Sequence, residues 1–473
     1  MQFRMLLLKA FENFSNHLAI EDDKTSLSYQ ELFQWCHIKA KLLENLMLHK
    51  GDIIVIIGQK TTELLSLMLA CIFKEVIFII CEENISEFRW YQIAKQCQVK
   101  IVYDLRTGIK YSEPLAENRC QLNTILIYYT SGSTGKPKAI QIHETNICNF
   151  LQWAITTFNL CENDRFCSFA PWYFDLSVLD IFAALLSGGS IHCVPQQIKI
   201  FPNIIANWLK ENKITIIYMV PTALIALQKQ ENFSHFYQTQ LRCILFAGEH
   251  YPISDLSLLR QKFPAQIIAN LYGPTETNVC SYYILPANFN FHLIEKLSIG
   301  NPITNTKLYV INEHGQKITK LGQIGELVCA GTSNLSRYLN VENDQSFFNA
   351  DGVPSYKTGD LVRIDHAGLI LIGRKDKQIK YRGNRIDICE IEAVLRKFDG
   401  IIQAGVCMVE NDLVGFVSGN IQLSKIRISQ HCKKFLPYYC CPSKIMIMDK
   451  LPLTRTEKID YNELVYCFSR KKG

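Results

Sequence analysis

Runs of consecutive apolar residues alternate with amphipathic segments over the first three-quarters of the chain. Uninterrupted runs rich in β-branched residues are typical of strands that are buried on both faces. Such runs occupy residues 52–58, 99–103, 124–129, 214–218 and 243–247. The segments between them have the three-to-four-residue spacing of helices, so the pattern predicts mainly parallel sheets covered by helices.

The most hydrophobic stretch, residues 64–81, has two charged residues, Lys74 and Glu75, near its middle. A membrane-spanning helix would place both charges inside the bilayer, where they are costly. We therefore predict a helix over residues 62–73, a strand over residues 76–81 and no membrane span. The apolar run at the N-terminus is too short for the core of a signal peptide, so we expect a cytoplasmic protein.

Short strands separated by turn signals replace the long apolar runs further along the chain. They include residues 307–311 and 325–329, and a charged stretch at 373–378 precedes a final block with its own strands and helices. A chain of 473 residues is expected to form two or three folding units. The predicted fold class is α/β: a large N-terminal domain (residues 1–374) of mainly parallel sheets covered by helices plus a small β-rich subdomain, and a small mobile α+β C-terminal domain (residues 375–473).

The charge distribution and the cysteine spacing argue against a nucleic-acid-binding protein and against a zinc site. The net charge is +6, and the cationic residues are scattered rather than gathered into a basic stripe, so nucleic-acid binding is not expected. The 18 cysteines include no C-x-x-C pair, and neither His192-Cys193 nor His431-Cys432 has the spacing of a zinc site. We expect reduced, mostly buried thiols.

A predicted strand at residues 124–129 leads directly into a segment rich in glycine, hydroxyl groups and lysine. Its residues include Thr130, Ser131, Gly132, Ser133, Thr134, Gly135, Lys136 and Lys138. The glycines allow the backbone to fold round an anion, and hydroxyl and backbone N–H groups donate to phosphate oxygens. The P-loop of NTPases is excluded because Thr130 stands where that motif has its first glycine, and Pro137 where it has serine or threonine. A polar surface loop is the remaining alternative.

Four further segments accompany this loop along the chain. They are residues 27–32 (LSYQEL), 270–276 (NLYGPTE), 356–361 (YKTGDL) and 373–386, which opens with GRKD. Together with the loop, they make the sequence resemble the adenylate-forming (ANL) superfamily over nearly its whole length. The resemblance implies an enzyme that uses ATP and Mg²⁺ to convert a carboxylate into an acyl-adenylate, which a thiol then attacks.

The resemblance assigns an ATP site to residues from several of these segments. Its cofactor-binding residues would be Thr130, Ser131, Gly132, Ser133, Thr134, Gly135, Lys138, Gly248, Glu249, Asn270, Leu271, Tyr272, Gly273, Pro274, Thr275, Asp360, Arg374 and Lys458. The catalytic residues would be Thr134 and Glu276, which hold Mg²⁺, and Lys458, whose ammonium bridges the carboxylate and the α-phosphate. Tyr272 would stack on adenine, and Asp360 would accept hydrogen bonds from ribose. A non-catalytic binding protein is an alternative that would lack one or more of these catalytic groups.

Asp175 distinguishes between classes of carboxylate substrate. Fatty and aryl acids carry no charge near the α-carbon, whereas an amino acid brings an ammonium into a low-dielectric pocket, where it must be paired. The segment around Asp175 resembles that of amino-acid-activating adenylation domains, in which an aspartate at this position makes the pair. The alternative is that Asp175 caps a helix predicted over residues 176–186.

The resemblance also implies which residues line the substrate pocket. They are Asp175, Leu176, Leu179, Tyr218, Leu245, Ala247, Leu271, Val279 and Cys280, together with Lys458. The wall is expected to be apolar, with no second acid or base, and to suit a small amino acid such as Gly, Ala, Cys, Val or Pro. The set resembles that of stand-alone enzymes that activate L-proline, so L-proline is the favoured substrate. The second resemblance is to D-alanyl carrier ligases. An acyl-CoA ligase is the alternative from a different class of enzyme.

The thiol acceptor is expected to be the phosphopantetheine arm of a separate carrier protein. Neither a G-G-x-S phosphopantetheine site nor a thioesterase serine motif follows Lys458 in this sequence. By resemblance, the C-terminal domain rotates about Asp376 for the thiol step and brings Lys380 and the loop at Gly383 towards the carrier. The sequence departs from the family pattern at Glu457, where glycine is usual. No nucleic-acid or membrane partner is expected.

Overall fold

The computed structural model describes residues 2–112, 120–130, 138–229, 236, 239–334, 337–339, 344–376, 378–419, 422–453 and 459–470. The chain divides into two compact units. The first comprises residues 1–83, 94–129 and 139–375, and the second comprises residues 84–93, 130–138 and 376–473. The division in the chain at residues 375 and 376 lies one residue beyond the predicted domain boundary.

The helices carry the bounds that follow, in chain order. They are α1 (Gln2–Asn13), α2 (Tyr29–Asn45), α3 (Thr62–Lys74), α4 (Glu87–Gln96), α5 (Glu144–Thr157), α6 (Ala184–Ser187), α7 (Pro202–Glu211), α8 (Pro221–Gln228), α9 (Ile253–Lys262), α10 (Ile388–Arg396), α11 (Lys425–Phe435) and α12 (Tyr461–Arg470). Among the helices of the described residues, none combines the length and the apolar character that crossing a membrane requires.

The strands are likewise numbered along the chain. They are β1 (Leu18–Glu21), β2 (Ser26–Ser28), β3 (Ile53–Ile57), β4 (Ile77–Cys81), β5 (Ile101–Asp104), β6 (Gly108–Ser112), β7 (Thr124–Thr130), β8 (Lys138–His143), β9 (Arg165–Ser168), β10 (Ser190–Cys193), β11 (Ile216–Met219), β12 (Cys243–Ala247), β13 (Ile267–Tyr272), β14 (Ser281–Ile284), β15 (Asn301–Pro302), β16 (Thr306–Ile311), β17 (Lys317–Ile318), β18 (Ile324–Gly331), β19 (Arg337–Leu339), β20 (Phe347–Ala350), β21 (Val353–Asp365), β22 (Gly368–Arg374), β23 (Gln378–Tyr381), β24 (Asn384–Asp387), β25 (Ile401–Val409), β26 (Asp412–Gly419) and β27 (Lys444–Ile447). Each of the apolar runs named above overlaps one of these strands.

The break between α3 and β4 confirms the interpretation of the most hydrophobic stretch. Thr61 caps the start of α3, where its side chain accepts a hydrogen bond from the Leu64 N–H at 3.2 Å. At the other end, Glu75 takes a left-handed conformation with φ 58°, which ends the helix after Lys74. The two charges therefore mark a helix end rather than the centre of a membrane span.

Two large sheets form the body of the first unit. One has nine strands in the order β15-β14-β13-β12-β11-β9-β10-β1-β2, and the other has seven in the order β19-β8-β7-β4-β3-β5-β6. The central strands of both sheets run parallel, and antiparallel pairs occur towards the edges. The predicted fold class, mainly parallel sheets covered by helices, is confirmed.

Alternate residues of the parallel strands enter different apolar cores. In β12, Leu245 and Ala247 belong to one buried cluster, whereas Ile244 and Phe246 belong to another. Burial on both faces explains why these strands are uninterrupted apolar runs in the sequence. The same alternation selects which residues of neighbouring strands share a face.

The predicted β-rich subdomain is a six-stranded antiparallel sheet in the first unit. Its strands follow the order β17-β16-β18-β21-β20, and β22 pairs with β21. The second unit contains the β23–β24 hairpin and a three-stranded sheet of β25, β26 and β27. The hairpin turns at Arg382 (φ 50°) and Gly383 (φ 77°), the two left-handed residues that a tight two-residue turn requires. All 18 cysteines, which lie among the described residues, are free thiols.

Candidate active site

Three neighbouring parallel strands bring the predicted pocket residues together. Tyr218 of β11 is the register partner of Leu245 of β12, and Ala247 of β12 is the partner of Leu271 of β13. All four are buried in one apolar cluster, which also contains Leu179 and Val279. Ligands of open parallel sheets bind at the carboxyl ends of the strands. Pocket residues that were predicted from separate segments of the sequence thus share one buried cluster.

The segment that carries Asp175 begins where β9 ends. Trp172 Nε1 donates a hydrogen bond to Ser168 Oγ at 2.9 Å, and Ser177 Oγ donates to the Phe174 carbonyl at 2.6 Å. Helical structure follows from residue 177 to residue 187, so the helix predicted over residues 176–186 is confirmed. Its middle part, Leu179–Ala183, is a π-helical turn, a feature that is frequent at functional sites.

The charge of Asp175 acts on two buried tyrosines. Burial raises the pKa of Tyr218 well above its ordinary value, and the charges of Asp175 and then Asp180 raise it further. Burial also raises the pKa of Tyr128, and Asp175 adds to that shift. Asp175 is therefore near enough to both buried phenols for its charge to act on their pKa values.

Asp180 is a second acid in the same segment as Asp175. Its side chain is buried, and it is near enough to Tyr218 to act on the pKa of that phenol. The sequence does contain a signal, since Asp180 is a lone acid in the apolar run that follows Leu176. Acids are rarely fully buried without a reason, so this position could have been singled out.

Cys280 differs from the other predicted pocket residues in what it packs against. It belongs to a neighbouring apolar cluster that contains Tyr272, Ile299 and Cys329. Its backbone N–H donates to the Tyr272 carbonyl at 2.8 Å. Cys280 therefore lies between residues predicted for the amino acid and a residue predicted for the nucleotide.

Three residues predicted to bind the nucleoside contact one another directly. Asp360 of β21 and Arg374 of β22 are register partners, and Arg374 Nη1 donates to Asp360 Oδ1 at 2.5 Å. Tyr272 Oη donates to Asp360 Oδ2 at 2.5 Å. Arg374 Nη2 also donates to the Thr358 carbonyl at 3.2 Å. The carboxylate is thereby held in one orientation, and each of its oxygens has a second lone pair for a ribose hydroxyl.

A tight turn between β13 and β14 presents Glu276. Gly273 is required there because a Cβ atom would lie 1.6 Å from the Asn278 carbonyl oxygen. The Thr277 N–H donates to the Pro274 carbonyl at 2.9 Å and closes the turn. These contacts fix the backbone on both sides of the carboxylate.

Two tyrosines that sequence reasoning missed support Glu276. Tyr338 Oη donates to Glu276 Oε1 at 2.6 Å, and the Tyr338 and Tyr356 hydroxyls lie 3.2 Å apart. Glu276 is buried, so a hydrogen bond to its carboxylate is needed to offset the loss of water. Mg²⁺ prefers oxygen ligands and commonly takes one or two carboxylates plus substrate phosphates, which an oriented Glu276 fits.

The other predicted cofactor-binding residues are placed as follows. Gly248, with φ 91°, and Glu249 follow β12, and Glu249 Oε2 accepts hydrogen bonds from the N–H and the hydroxyl of Thr222 at 3.0 and 2.8 Å. Asn270 of β13 donates to the Ser298 carbonyl at 3.2 Å. Thr130 ends β7 and Lys138 begins β8. The predicted residues Ser131, Gly132, Ser133, Thr134, Gly135 and Lys458 lie outside the described residues.

Two family models match the chain. The model for the AMP-binding enzyme matches residues 7–122 and 106–339, and the model for the AMP-binding enzyme C-terminal domain matches residues 390–458. The chain belongs to the AMP-binding enzyme family. The predicted membership of the adenylate-forming superfamily is thus confirmed, and this membership implies the use of ATP.

The curated relatives of this AMP-binding enzyme include ligases of carrier proteins. The L-proline--[L-prolyl-carrier protein] ligase of Pseudomonas fluorescens is 28% identical over 493 residues, which cover 96% of this chain and 97% of that protein. A ligase of the same name from Streptomyces coelicolor is 34% identical over 348 residues, which cover 72% of this chain and 65% of that protein. The D-alanine--D-alanyl carrier protein ligase of Bacillus licheniformis is 26% identical, and the match covers 94% of this chain and 95% of that protein.

The fold is also that of solved adenylation domains. The crystal structure of the Vibrio cholerae adenylation domain AlmE in complex with glycyl-adenosine-5'-phosphate matches with a TM-score of 0.84 at 22% identity. The match covers 99% of this chain and 98% of that one. At this identity the match supports the fold alone.

Proposed function

We propose that this enzyme activates a small amino acid, with L-proline favoured, as the aminoacyl-adenylate and then transfers it to the phosphopantetheine thiol of a separate carrier protein. The observation that carries the proposal is that the charge of Asp175 acts on the buried phenols of Tyr218 and Tyr128, which belong to the same cluster of apolar residues as the predicted pocket wall. A carboxylate in such surroundings favours a substrate with an ammonium group. The curated relatives named above, which are carrier-protein ligases for amino acids, support the same class of reaction.

In the first half-reaction, a carboxylate oxygen of the amino acid attacks the α-phosphorus of ATP, and pyrophosphate leaves. Asp175 pairs with the substrate ammonium and so orients the carboxylate towards the nucleotide. Asp360, held by Tyr272 and Arg374, accepts hydrogen bonds from the ribose. Bound Mg²⁺ supplies positive charge to the leaving pyrophosphate. Glu276 would hold this ion together with Thr134.

Lys458 would act in the same half-reaction. Its ammonium would neutralise the attacking carboxylate and the α-phosphate, two anions that otherwise repel each other. In the second half-reaction the carrier thiol attacks the acyl carbon, an aminoacyl thioester forms and AMP leaves. Lys380 and the hairpin turn at Gly383 are the residues of the second unit proposed for that step.

L-Proline and D-alanine are the two amino acids that the observations favour. The predicted wall residues are apolar and buried, and they include large side chains such as Tyr218, Leu245 and Leu271, which leave room for a small substrate. The proline ligase relatives precede the D-alanine ligase in similarity, but only by 28% against 26% identity for the two that span nearly the whole chain. L-Proline is therefore the first substrate to test.

A panel of amino acids in an ATP–pyrophosphate exchange assay tests the adenylation step. We expect exchange with L-proline and weaker exchange with other small amino acids. Exchange with D-alanine and not with L-proline would make D-alanine the proposed substrate in place of L-proline. An absence of exchange with every amino acid, combined with exchange in the presence of a fatty or aryl acid, would overturn the proposal.

Asp175→Asn tests whether the carboxylate recognises the ammonium. Since the variant keeps the size of the side chain and removes its charge, kcat/KM for the amino acid should fall by about a hundredfold or more. KM for ATP should change little. An unchanged amino-acid KM would mean that Asp175 serves only to begin the following helix.

A second assay identifies the thiol acceptor. A phosphopantetheinylated carrier protein and free coenzyme A are offered side by side with the activated amino acid, and the thioester that forms shows which thiol the enzyme uses.

A further inference from the structure

Two hydrogen bonds from Ser177 close the turn that carries Asp175. The Ser177 N–H donates to the Phe174 carbonyl at 3.1 Å, and the Ser177 hydroxyl donates to the same oxygen at 2.6 Å. A carbonyl oxygen has two lone pairs, so it accepts both bonds at once. Asp175 and Leu176, which are both predicted to line the substrate pocket, are the two residues inside this turn. Their backbone is thus held twice by one residue.

Further hydrogen bonds fix the backbone on both sides of the turn. The Phe174 N–H donates to the Pro171 carbonyl at 3.1 Å, and the Val178 N–H donates to the Asp175 carbonyl at 3.1 Å. Ser177 is 1% exposed, so water does not compete for its hydroxyl. The rotamers open to a side chain depend on the backbone that bears it, so a fixed turn limits the directions of the Asp175 carboxylate.

Trp172 attaches the same segment to the nine-stranded sheet. Its indole N–H donates to the hydroxyl of Ser168, the last residue of β9, at 2.9 Å. In the parallel pair of β9 and β11, Cys167 and Ile217 are register partners. The next residues along the two strands are Ser168 and Tyr218, and Trp172 shares a buried cluster with Tyr218. The attachment therefore lies beside the strand that provides a predicted wall residue.

We propose that Trp172 and Ser177 are positioning residues for amino-acid binding: Ser177 fixes the turn that carries Asp175, and Trp172 fixes that turn to the sheet that provides the pocket wall. The proposal rests on the function proposed above, because it assumes that Asp175 pairs with the substrate ammonium. Neither residue is proposed to touch the substrate. Since the attraction between two charges weakens with distance, a displaced carboxylate costs affinity for the amino acid and not for ATP.

Ser177→Ala tests the turn, because it removes the hydroxyl and keeps the N–H bond. In ATP–pyrophosphate exchange, KM for the amino acid should rise about tenfold, while KM for ATP changes by less than about twofold. Ser187→Ala is the matched control. The Ser187 hydroxyl is also buried and donates to the carbonyls of Ala183 and Ala184 at 2.8 and 3.1 Å, at the far end of the helical segment that follows Asp175. The control should keep both KM values near those of the wild type.

Trp172→Phe tests the attachment to the sheet, because it removes the indole N–H and keeps an aromatic ring. We again expect a rise of about tenfold in KM for the amino acid alone. Trp153→Phe is the matched control, since Trp153 is likewise buried and its Nε1 atom has no hydrogen-bond partner among the described residues. Rises of the same size in the two variants would mean that ring size and not the hydrogen bond matters, which would overturn the role of Trp172.

Combining Ser177→Ala with Asp175→Asn separates positioning from a merely structural role. If the hydroxyl acts through the Asp175 carboxylate, the double variant should lose less kcat/KM for the amino acid than the product of the two single losses. Losses that multiply, equal rises in both KM values or an unchanged amino-acid KM in Ser177→Ala would overturn the proposal. A Ser177→Ala chain that does not fold, when Ser187→Ala folds, would also overturn the role of Ser177, and Trp172→Phe tests the attachment independently.

Failure of the proposed function gives a different result. In that case the wild type exchanges no amino acid, or Asp175→Asn leaves KM for the amino acid unchanged. The positioning role fails alone if Asp175→Asn impairs the use of the amino acid while Ser177→Ala and Trp172→Phe do not.

Discussion

Glu276 depends on a hydrogen bond from a residue far away in the sequence. Tyr338 lies 62 positions further along the chain and donates to one oxygen of the carboxylate at 2.6 Å. The donor limits rotation of the carboxylate and leaves its direction set before ATP arrives. A carboxylate that is already oriented loses little freedom when it coordinates a metal.

Tyr338→Phe removes this hydrogen bond and keeps the ring. A hydrogen bond to a charged group contributes about 1.5–3 kcal/mol, so the Mg²⁺ concentration that gives half-maximal exchange should rise by roughly tenfold or more. The measurement is a Mg²⁺ titration at saturating ATP and amino acid. Tyr356→Phe is the comparison variant, because it removes the hydroxyl that lies 3.2 Å from that of Tyr338 and keeps the hydroxyl of Tyr338 that donates to Glu276. Equal effects of the two substitutions would argue against a specific role for Tyr338.

The sequence predicts individual site residues better than it predicts their partners. Tyr272, Asp360 and Arg374 each stand in a recognisable motif, and all three were predicted to serve the nucleotide. Their mutual hydrogen bonds depend on the register of β21 with β22 and on the approach of β13, which no local pattern encodes. Tyr338 was missed for the same reason, since it belongs to no motif whose chemistry is evident in sequence.

At the scale of elements, the turn between β13 and β14 controls the position of Glu276. Gly273→Ala would force a Cβ atom against the Asn278 carbonyl oxygen, so the turn must shift. We expect a loss of about 2–4 kcal/mol in stability and a roughly tenfold rise in KM for ATP. Melting curves and exchange kinetics measure the two effects.

Gly315→Ala is the matched control for that substitution. Gly315 has φ 77° and no atom within 4 Å of the added Cβ position, so the cost is confined to backbone strain, about 1 kcal/mol. Its KM for ATP should equal that of the wild type. A similar KM for the two variants would show that the turn tolerates displacement.

The helix α10 carries a carboxyl that makes stability depend on pH. Burial raises the pKa of Glu390 to about 7 from an ordinary value of 4.5. The unfolded chain therefore releases this proton at lower pH than the folded chain does. The contribution of Glu390 to the free energy of unfolding is greatest below pH 4.5, falls as the pH rises towards 7 and is constant above that.

Glu390→Gln should remove this dependence. The variant is expected to gain stability over the wild type as the pH rises, by an amount on the order of 3 kcal/mol at neutral pH. Thermal melts of both proteins between pH 4 and pH 8 test this, and the melts should converge at the acidic end, where the wild-type carboxyl is protonated. A constant difference between the two proteins across the whole range would contradict the assignment.

At the scale of the whole molecule, two lysines of the second unit are proposed to serve different half-reactions, Lys458 the adenylation step and Lys380 the transfer to the thiol. Lys458→Ala should lower amino-acid-dependent exchange by about a thousandfold, because the charge that neutralises the reacting anions is lost. Lys380→Ala should keep exchange near the wild-type rate and slow the loading of the carrier protein. Exchange and thioester formation are measured on the same preparations. Equal loss of both activities in both variants would refute the division.

The fold class is readable from the sequence because burial on both faces of a parallel strand requires a continuous apolar run, as in Cys243–Ala247. The sequence does not reveal the order of the strands in space: β11, for example, pairs with β9 rather than with β10. Nor does it reveal which cluster receives each alternate side chain. These features depend on packing between segments that are distant in the chain, and periodicity reports only on local structure.

Cys280 has a consequence for how substrate choice can evolve. Because it packs in the cluster of Tyr272 and is bonded to the backbone of that residue, a larger side chain at position 280 would press on the nucleotide side as well as on the amino-acid side. Ala247 packs in the other cluster and not in that of Tyr272. Changes of amino-acid preference made at position 247 are therefore expected to disturb ATP affinity less than those made at position 280, which trade one substrate against the other.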